Sequence, residues 1–250
     1  MRFRRRKTSK RDWVKGTIIS ILFIGFIGGV FWTLDHFVAP QHLFWKPLDT
    51  SRPLGFATKQ QLMALNLKPS KTCMNLAKDT QGYKTITSEP KRPESGAGKN
   101  VCGWDVARLV YGTEEVLFAP KESHMQCPLS VGVYLWQREV DVLARKHFDQ
   151  PLAKIHHYGS YSCRRQRGNS SGDWSEHAFA NAWDVAAFEL KDGTLIKILD
   201  DWDGQRTKRK FLRESRSAAC DIFRVTLSPD YNKAHADHFH FDMGPGKACR

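Results

Sequence analysis

The sequence predicts an α+β domain, an antiparallel sheet with flanking helices, carried behind one N-terminal transmembrane helix. Three observations lead there. The run from Gly16 to Leu34 holds no charged residue. Beyond it, segments with strand and helix periodicity follow one another without the strict alternation of a parallel sheet. Six cysteines are spread between positions 73 and 249, none in a Cys-x-x-Cys pair.

Composition limits the function classes. At 250 residues and 41% apolar content, with eight Trp and fifteen Phe, the chain can build one real core plus appendages. The formal charge is +13, but eight basic residues against Asp12 place +7 of it before residue 16. That concentration is a local flag and argues against a nucleic-acid surface. Residues 1–15 read as a basic cytoplasmic tail.

Residues 16–34 would span roughly 28 Å as a helix, close to the ~30 Å hydrocarbon core. Basic residues precede this stretch and Asp35 follows it, which keeps the N-terminus inside and exports the rest. An uncleaved anchor is favoured over a signal peptide. The one candidate cleavage site, Phe37-Val38-Ala39, has a bulky residue where a small one is needed and is followed by Pro40.

Residues 35–70, with Pro40, Pro47, Pro53 and Pro69, read as a linker holding the domain off the membrane. Only Lys59 to Leu67 suggests a helical turn or two. Residues 71–250 form the domain. Cys73, Cys102, Cys127, Cys163, Cys220 and Cys249 should pair as three disulfides in an exported protein, and fifteen connectivities remain open.

The elements follow in order. Gly98 to Lys121 suggests short strands with turns at Gly98, Gly103 and Gly112. Ser130 suggests an N-cap for a helix running to Phe148, with Val133, Trp136, Val140 and Leu143 inward. A strand follows Pro151. AWDVAAFEL and TLIKILDDW form a hairpin about Lys191-Asp192-Gly193. A helix is expected from Lys208 to Phe223, and HADHFHFD makes the last strand.

Chemistry concentrates in two stretches. Ser175 to Asp184 offers His177 and a carboxylate seven positions on. Asp237-His238-Phe239-His240 offers two imidazoles that share a face if the segment is extended. Two histidines and one carboxylate are enough protein ligands for a catalytic zinc with one open position. With the cysteines oxidised, nitrogen and oxygen ligands are what remain. Ser175 reads as a hydrogen-bonding residue of the His177 loop. His156 and His157 read as packing or surface residues, and Asp200, Asp201 and Asp203 as turn and cap residues.

These residues carry a resemblance. Ser175, His177, Ala182 and Asp184 fit the Ser-x-His-x-x-Gly-x-Ala-x-Asp signature of the D-Ala-D-Ala metallopeptidases, with Ala180 at the glycine position. Asp237 to His240 resembles the second zinc motif of that superfamily and its lysostaphin-like relatives. More closely, Cys127 to Asp242 resembles the bacterial extensin-like C-terminal domain family. The pieces REV, GSYSCR, SEHAFANAWDVAAF, DG, FLRESRSAAC and HADHFHFD occur in that order.

The resemblance implies a D-Ala-D-Ala metallopeptidase-like fold with His177, Asp184 and His240 as zinc ligands. It implies Arg164 as the cation that steadies the substrate carbonyl oxygen, with Arg165 as its natural control. The base falls to His238, with Asp237 second, because an aspartate is shorter than the family's glutamate. The expected protein is a zinc-dependent D,D-carboxypeptidase or D,D-endopeptidase acting on peptidoglycan peptide. It would be single-pass in the inner membrane with its domain in the periplasm, and use no small-molecule cofactor besides the metal. A non-catalytic peptidoglycan-binding or scaffolding module on the same fold is the alternative.

Overall fold

The computed structural model describes residues 10–65, 73, 75–76, 83–87, 102–104, 106–166 and 172–250. The basic positions before Lys10, the helical turn's end at Leu67, Pro69 and the turn at Gly98 lie outside them.

Helix α1 runs Lys10–Phe37, and its stretch Trp13–Phe37 is long and apolar enough to cross a membrane. The segment after it differs from the expected tether. Trp45 packs on Phe31 with ring centroids 4.5 Å apart, and Trp45 Nε1 and Lys46 Nζ both bind Asp35, at 2.9 and 2.7 Å. Helix α2 (Thr58–Ala64) buries Leu62 completely in the main core. Leu43, Leu48 and Leu65 are buried as well. These leucines share no period, so pattern reasoning finds no element in them, yet each is driven out of water individually.

The described residues form one ten-stranded sheet. Its strands are β1 (Tyr83–Thr87), β2 (Arg108–Thr113), β3 (Leu117–Ala119), β4 (Ser123–Met125), β5 (Leu152–Gly159), β6 (Ala182–Leu190), β7 (Leu195–Lys197), β8 (Val225–Leu227), β9 (Phe239–Asp242) and β10 (Ala248–Cys249). The order is β1-β2-β3-β5-β6-β9-β8-β10, with β4 on β2 and β7 on β6. Pairing is antiparallel except β3 with β5 and β8 with β10. The mixed helix-and-sheet class is as expected.

Helix α3 (Cys127–Phe148) starts four residues earlier than an N-cap at Ser130 would place it. Pro128 supplies the pre-set φ of a first turn, and the Ser130 hydroxyl instead donates to the Cys127 carbonyl inside the helix. The expected strand TLIKILDDW ends at Lys197. Ile198–Asp201 is a short helix, α4, and the Asp201 carboxylate turns back onto the Lys197 amide, 2.9 Å away. Helix α5 (Arg206–Cys220) packs beside α3, with Trp136 Nε1 bonded to the Ser215 carbonyl at 2.9 Å.

Strand β6 decides which residues meet. Val185 faces His157 across β5 while Ala187 faces His156, so a bulge falls at Ala186. The bulge shifts the two-residue period by one. Trp183 and Val185 before it, and Phe188 and Leu190 after it, are therefore all buried in the core. Trp136 of α3 lies against Trp183, Phe188 and Phe241 on that face. Asp184, out of phase with Trp183, points to the other face. There the site is built.

His157 packs between Phe118 and Trp183, and Nε2 donates to the Pro120 carbonyl at 2.9 Å. Burial pushes its imidazole down to about 4. The unfolded chain takes up this proton near pH 6.5 and the folded chain does not, so the contribution is complete above that pH. It is lost as pH falls towards 4, by about 3 kcal/mol. Urea unfolding between pH 7 and 4 should show this loss, and His157→Gln should flatten it.

All six cysteines are paired, as Cys73–Cys127, Cys102–Cys163 and Cys220–Cys249. The last ties the end of α5 to β10. Replacing Cys220 and Cys249 by serine should cost about 2–4 kcal/mol in denaturant unfolding.

Candidate metal centre

His177 sits in a 3-10 turn, Glu176–Phe179, capped by Ser175, whose hydroxyl accepts the His177 amide at 3.4 Å. Ser175 is thus a loop-fixing residue. The turn's carbonyls are taken by its surroundings: His177 O by Ser162 N–H, Ala178 O by Gly103 N–H and Ala180 O by Gln126 N–H, at 3.1, 2.7 and 2.8 Å. Ala180 ends the turn at φ 53°, in the left-handed region. A non-glycine residue there costs roughly 1–2 kcal/mol. Its methyl group is fully buried beside Trp104 and Ala107, which offsets part of that cost.

Asp184 and His240 are direct cross-strand partners on β6 and β9, so their side chains stand side by side on one face. His177 is lowered onto the pair from the loop. His177 Nε2 lies 3.1 Å from His240 Nδ1 and 3.2 Å from Asp184 Oδ2, and His240 Nδ1 lies 2.9 Å from Asp184 Oδ1. One donor atom from each falls within 4.8 Å of the others, an arrangement able to hold a metal ion. The tetrahedral edge for ligand bonds of about 2.0–2.1 Å is about 3.3 Å, so the spacing fits a small divalent cation.

Both imidazoles are oriented from behind. His177 Nδ1 donates to the Ser160 carbonyl at 3.2 Å, leaving Nε2 to face the cluster. His240 Nε2 donates to Asp242 Oδ2 at 3.0 Å, leaving Nδ1 inward. Asp242 is itself fixed by the Gly244 amide at 2.9 Å. Such backing acceptors set the tautomer and raise ligand basicity. Burial alone would raise the Asp184 carboxyl, but hydrogen bonds from His177 and His240 outweigh it and hold the group ionised. Burial likewise opposes a proton on His240, yet Asp184 and Asp242 push that imidazole up to about 9.

His238 stands next to this candidate ligand set, its Nε2 3.8 Å from Asp184 Oδ1. Its Nδ1 donates to Asp237 Oδ1 at 2.8 Å, and Asp237 Oδ2 accepts the Tyr158 hydroxyl at 3.1 Å. Asp237 therefore faces His238 and Tyr158. The His235 ring lies tilted against His238 and edge-on to His240, with centroids 5.1 and 5.8 Å apart. Its Nδ1 donates to Asn232 Oδ1, which also accepts the Ala234 amide, so Nε2 is left as an acceptor. Burial above all, with the Arg164 cation adding to it and Asp184 opposing, keeps His235 neutral, its pKa pushed down to about 4.

Arg164 is exposed on the chain beside Cys163, and its charge reaches His235. Arg165 is turned away, with its guanidinium 4.0 Å from the centre of the Trp174 ring and donating to the Gly172 carbonyl. His156 pairs with Glu189 at 3.0 Å. Sequence reasoning missed Asp242, Tyr158 and His235. The position of Asp242, two residues after His240 on one strand face, was the signal available for it.

Residues 71–250 match the family model of the extensin-like protein C-terminus. The chain belongs to that family. No curated protein and no solved structure is significantly similar to it. The matched span of this extensin-like domain takes in Arg164, His177, Asp184, Asp237, His238, His240 and Asp242.

Proposed function

We propose that this extensin-like domain is a zinc-dependent hydrolase of the peptidoglycan peptide, cleaving D-amino-acid peptide bonds as a D,D-carboxypeptidase or D,D-endopeptidase. In this reading α1 anchors it in the inner membrane and the domain faces the periplasm. One observation carries the proposal: one donor atom each of His177, Asp184 and His240 converges within 4.8 Å of the others, and each imidazole has an acceptor behind its outer nitrogen. The resemblance of both motifs to the D-Ala-D-Ala metallopeptidases supports it. The donor set of two nitrogens and a carboxylate, with every cysteine bridged, suits zinc at a hydrolytic centre. Three disulfides accord with an oxidising compartment.

Zinc bound there would acidify a water and polarise the scissile carbonyl. The remaining work falls to the chain's own residues. Asp237 fixes the His238 Nδ1 proton, so Nε2 carries the lone pair and faces the ligands. Nε2 takes a proton from the attacking water as its oxygen joins the carbonyl carbon. It returns that proton to the leaving amine when the C–N bond breaks. Arg164 places a fixed cation near the carbonyl oxygen as negative charge develops. Tyr158 holds the second oxygen of Asp237, which keeps the carboxylate from rotating away from His238.

The test uses the full chain purified in detergent, with zinc measured by mass spectrometry and purified muropeptides as substrate. About one zinc per chain and release of D-alanine or separation of cross-linked peptides is the expected result. Zinc without cleavage would favour the non-catalytic binding module. Neither zinc nor cleavage would overturn the proposal.

A further inference from the structure

We propose that the domain also docks directly onto an anionic bilayer surface. Exposed Phe44 and Phe56 enter the interface, and Lys59, Arg224 and Lys247 receive lipid phosphates. This rests on reading α1 as a retained anchor.

The placement follows from hydrogen bonds. Helix α1 ends at Phe37 and a 3-10 turn, Pro40–His42, follows at once. The start of α2 is bonded to that turn: Ala57 N–H to the Gln41 carbonyl at 2.9 Å, Phe56 N–H to His42 Nδ1 at 3.1 Å, and Gln61 Nε2 to the Pro40 carbonyl at 2.9 Å. Gly55 permits this approach, because a Cβ there would collide with the Gln41 backbone. Trp45 and Lys46 fold back onto Phe31 and Asp35 of α1. The domain is therefore held where the chain leaves the helix. Lys59 lies three residues beyond Phe56, within about 11 Å even if extended.

The chemistry of this face suits a lipid surface. Phe37, Phe44 and Phe56 are 77, 70 and 86% exposed, which places three large apolar side chains around the helix exit. A few residues on from Phe56, a cavity of about 470 Å³ is lined by Lys59, Gln60, Met63, Arg224 and Lys247. The Lys59 ammonium donates to the Cys220 carbonyl at 2.7 Å, and Arg224 donates to the carbonyls of Gly246 and Pro245. These partners are neutral, so they orient the cations without cancelling their charge. Burial lowers the Lys59 pKa, Asp221 opposes this, and Arg224 and Lys247 add to it. Apolar rings flanking a basic pocket match an interface of acyl chains beneath phosphate headgroups.

The experiment compares the full chain in nanodiscs of phosphatidylcholine with discs containing about a third phosphatidylglycerol, read by hydrogen–deuterium exchange. Each basic residue near an anionic surface adds roughly fivefold to binding, so amides of residues 55–63 and 244–249 should exchange on the order of tenfold more slowly in the anionic discs. A chain carrying Lys59→Gln, Arg224→Gln and Lys247→Gln should lose that difference while keeping its melting temperature in detergent. Phe56→Ser should speed exchange in both lipids. Equal exchange in the two discs overturns the inference. So does equal protection produced by millimolar inorganic phosphate in neutral discs, which would mark a site for soluble anions. Failure of the chain to float with vesicles after a carbonate wash would instead overturn the anchor reading on which the inference stands.

Discussion

His177→Ala is expected to abolish both metal content and hydrolysis while leaving the domain folded. The imidazole supplies one of three donors, and Asp184 and His240 alone form an incomplete site. Losing the cation removes several kcal/mol of transition-state stabilisation, so turnover should fall on the order of 10³-fold or more. The structural cost is smaller. Removing the ring leaves the Ser160 carbonyl without its donor, worth about 1–3 kcal/mol. Zinc per chain, measured beside the circular-dichroism melting curve, separates these effects. A variant that keeps its zinc would show that His177 is not a ligand.

Asp242→Asn gives the graded companion to this result. The carboxylate touches no other ligand of the centre but holds His240 Nε2 at 3.0 Å. An amide accepts that hydrogen bond more weakly and contributes no charge, so metal affinity should fall about 10–100-fold. Competition with a chromophoric chelator measures it. Unchanged affinity would remove Asp242 from the account.

The legible part of this molecule was what strand periodicity and motif order carry. Asp184 and His240 could be placed on extended segments because apolar residues flank them at every other position. That those segments would be neighbours in register was not readable, since pairing of strands separated by more than 50 residues depends on the whole sheet. The bulge at Ala186 is likewise invisible: AWDVAAFEL looks like a fully buried strand, whereas it changes face midway. The burial of Leu43, Leu48, Leu62 and Leu65 between Pro40 and Leu65 was not legible either, because these leucines share no period. Tyr158 and His235 come from elements with no motif of their own. Only the folded chain brings them beside His238.

The geometry also turns the choice between Asp237 and His238 into a sharp expectation. His238→Ala should lower turnover about 10²–10⁴-fold, the usual contribution of a positioned base, with zinc content unchanged. Asp237 points at His238 Nδ1 and the Tyr158 hydroxyl, each within 3.1 Å, so both carboxylate oxygens are engaged away from the reacting position. In the proposed mechanism it fixes the tautomer and orientation of the imidazole. Asp237→Asn can still accept from Nδ1 through its amide oxygen while its NH₂ turns to Tyr158. The loss should therefore be about tenfold, well short of the His238→Ala effect. Were Asp237 the base, the ranking would invert, and Asp237→Glu, with its longer reach, would preserve or raise activity. Steady-state turnover on a defined muropeptide, with zinc assayed in every variant, distinguishes the two orders. Retained turnover in His238→Ala would transfer the base to Asp237 and leave His238 as a neighbour of the site.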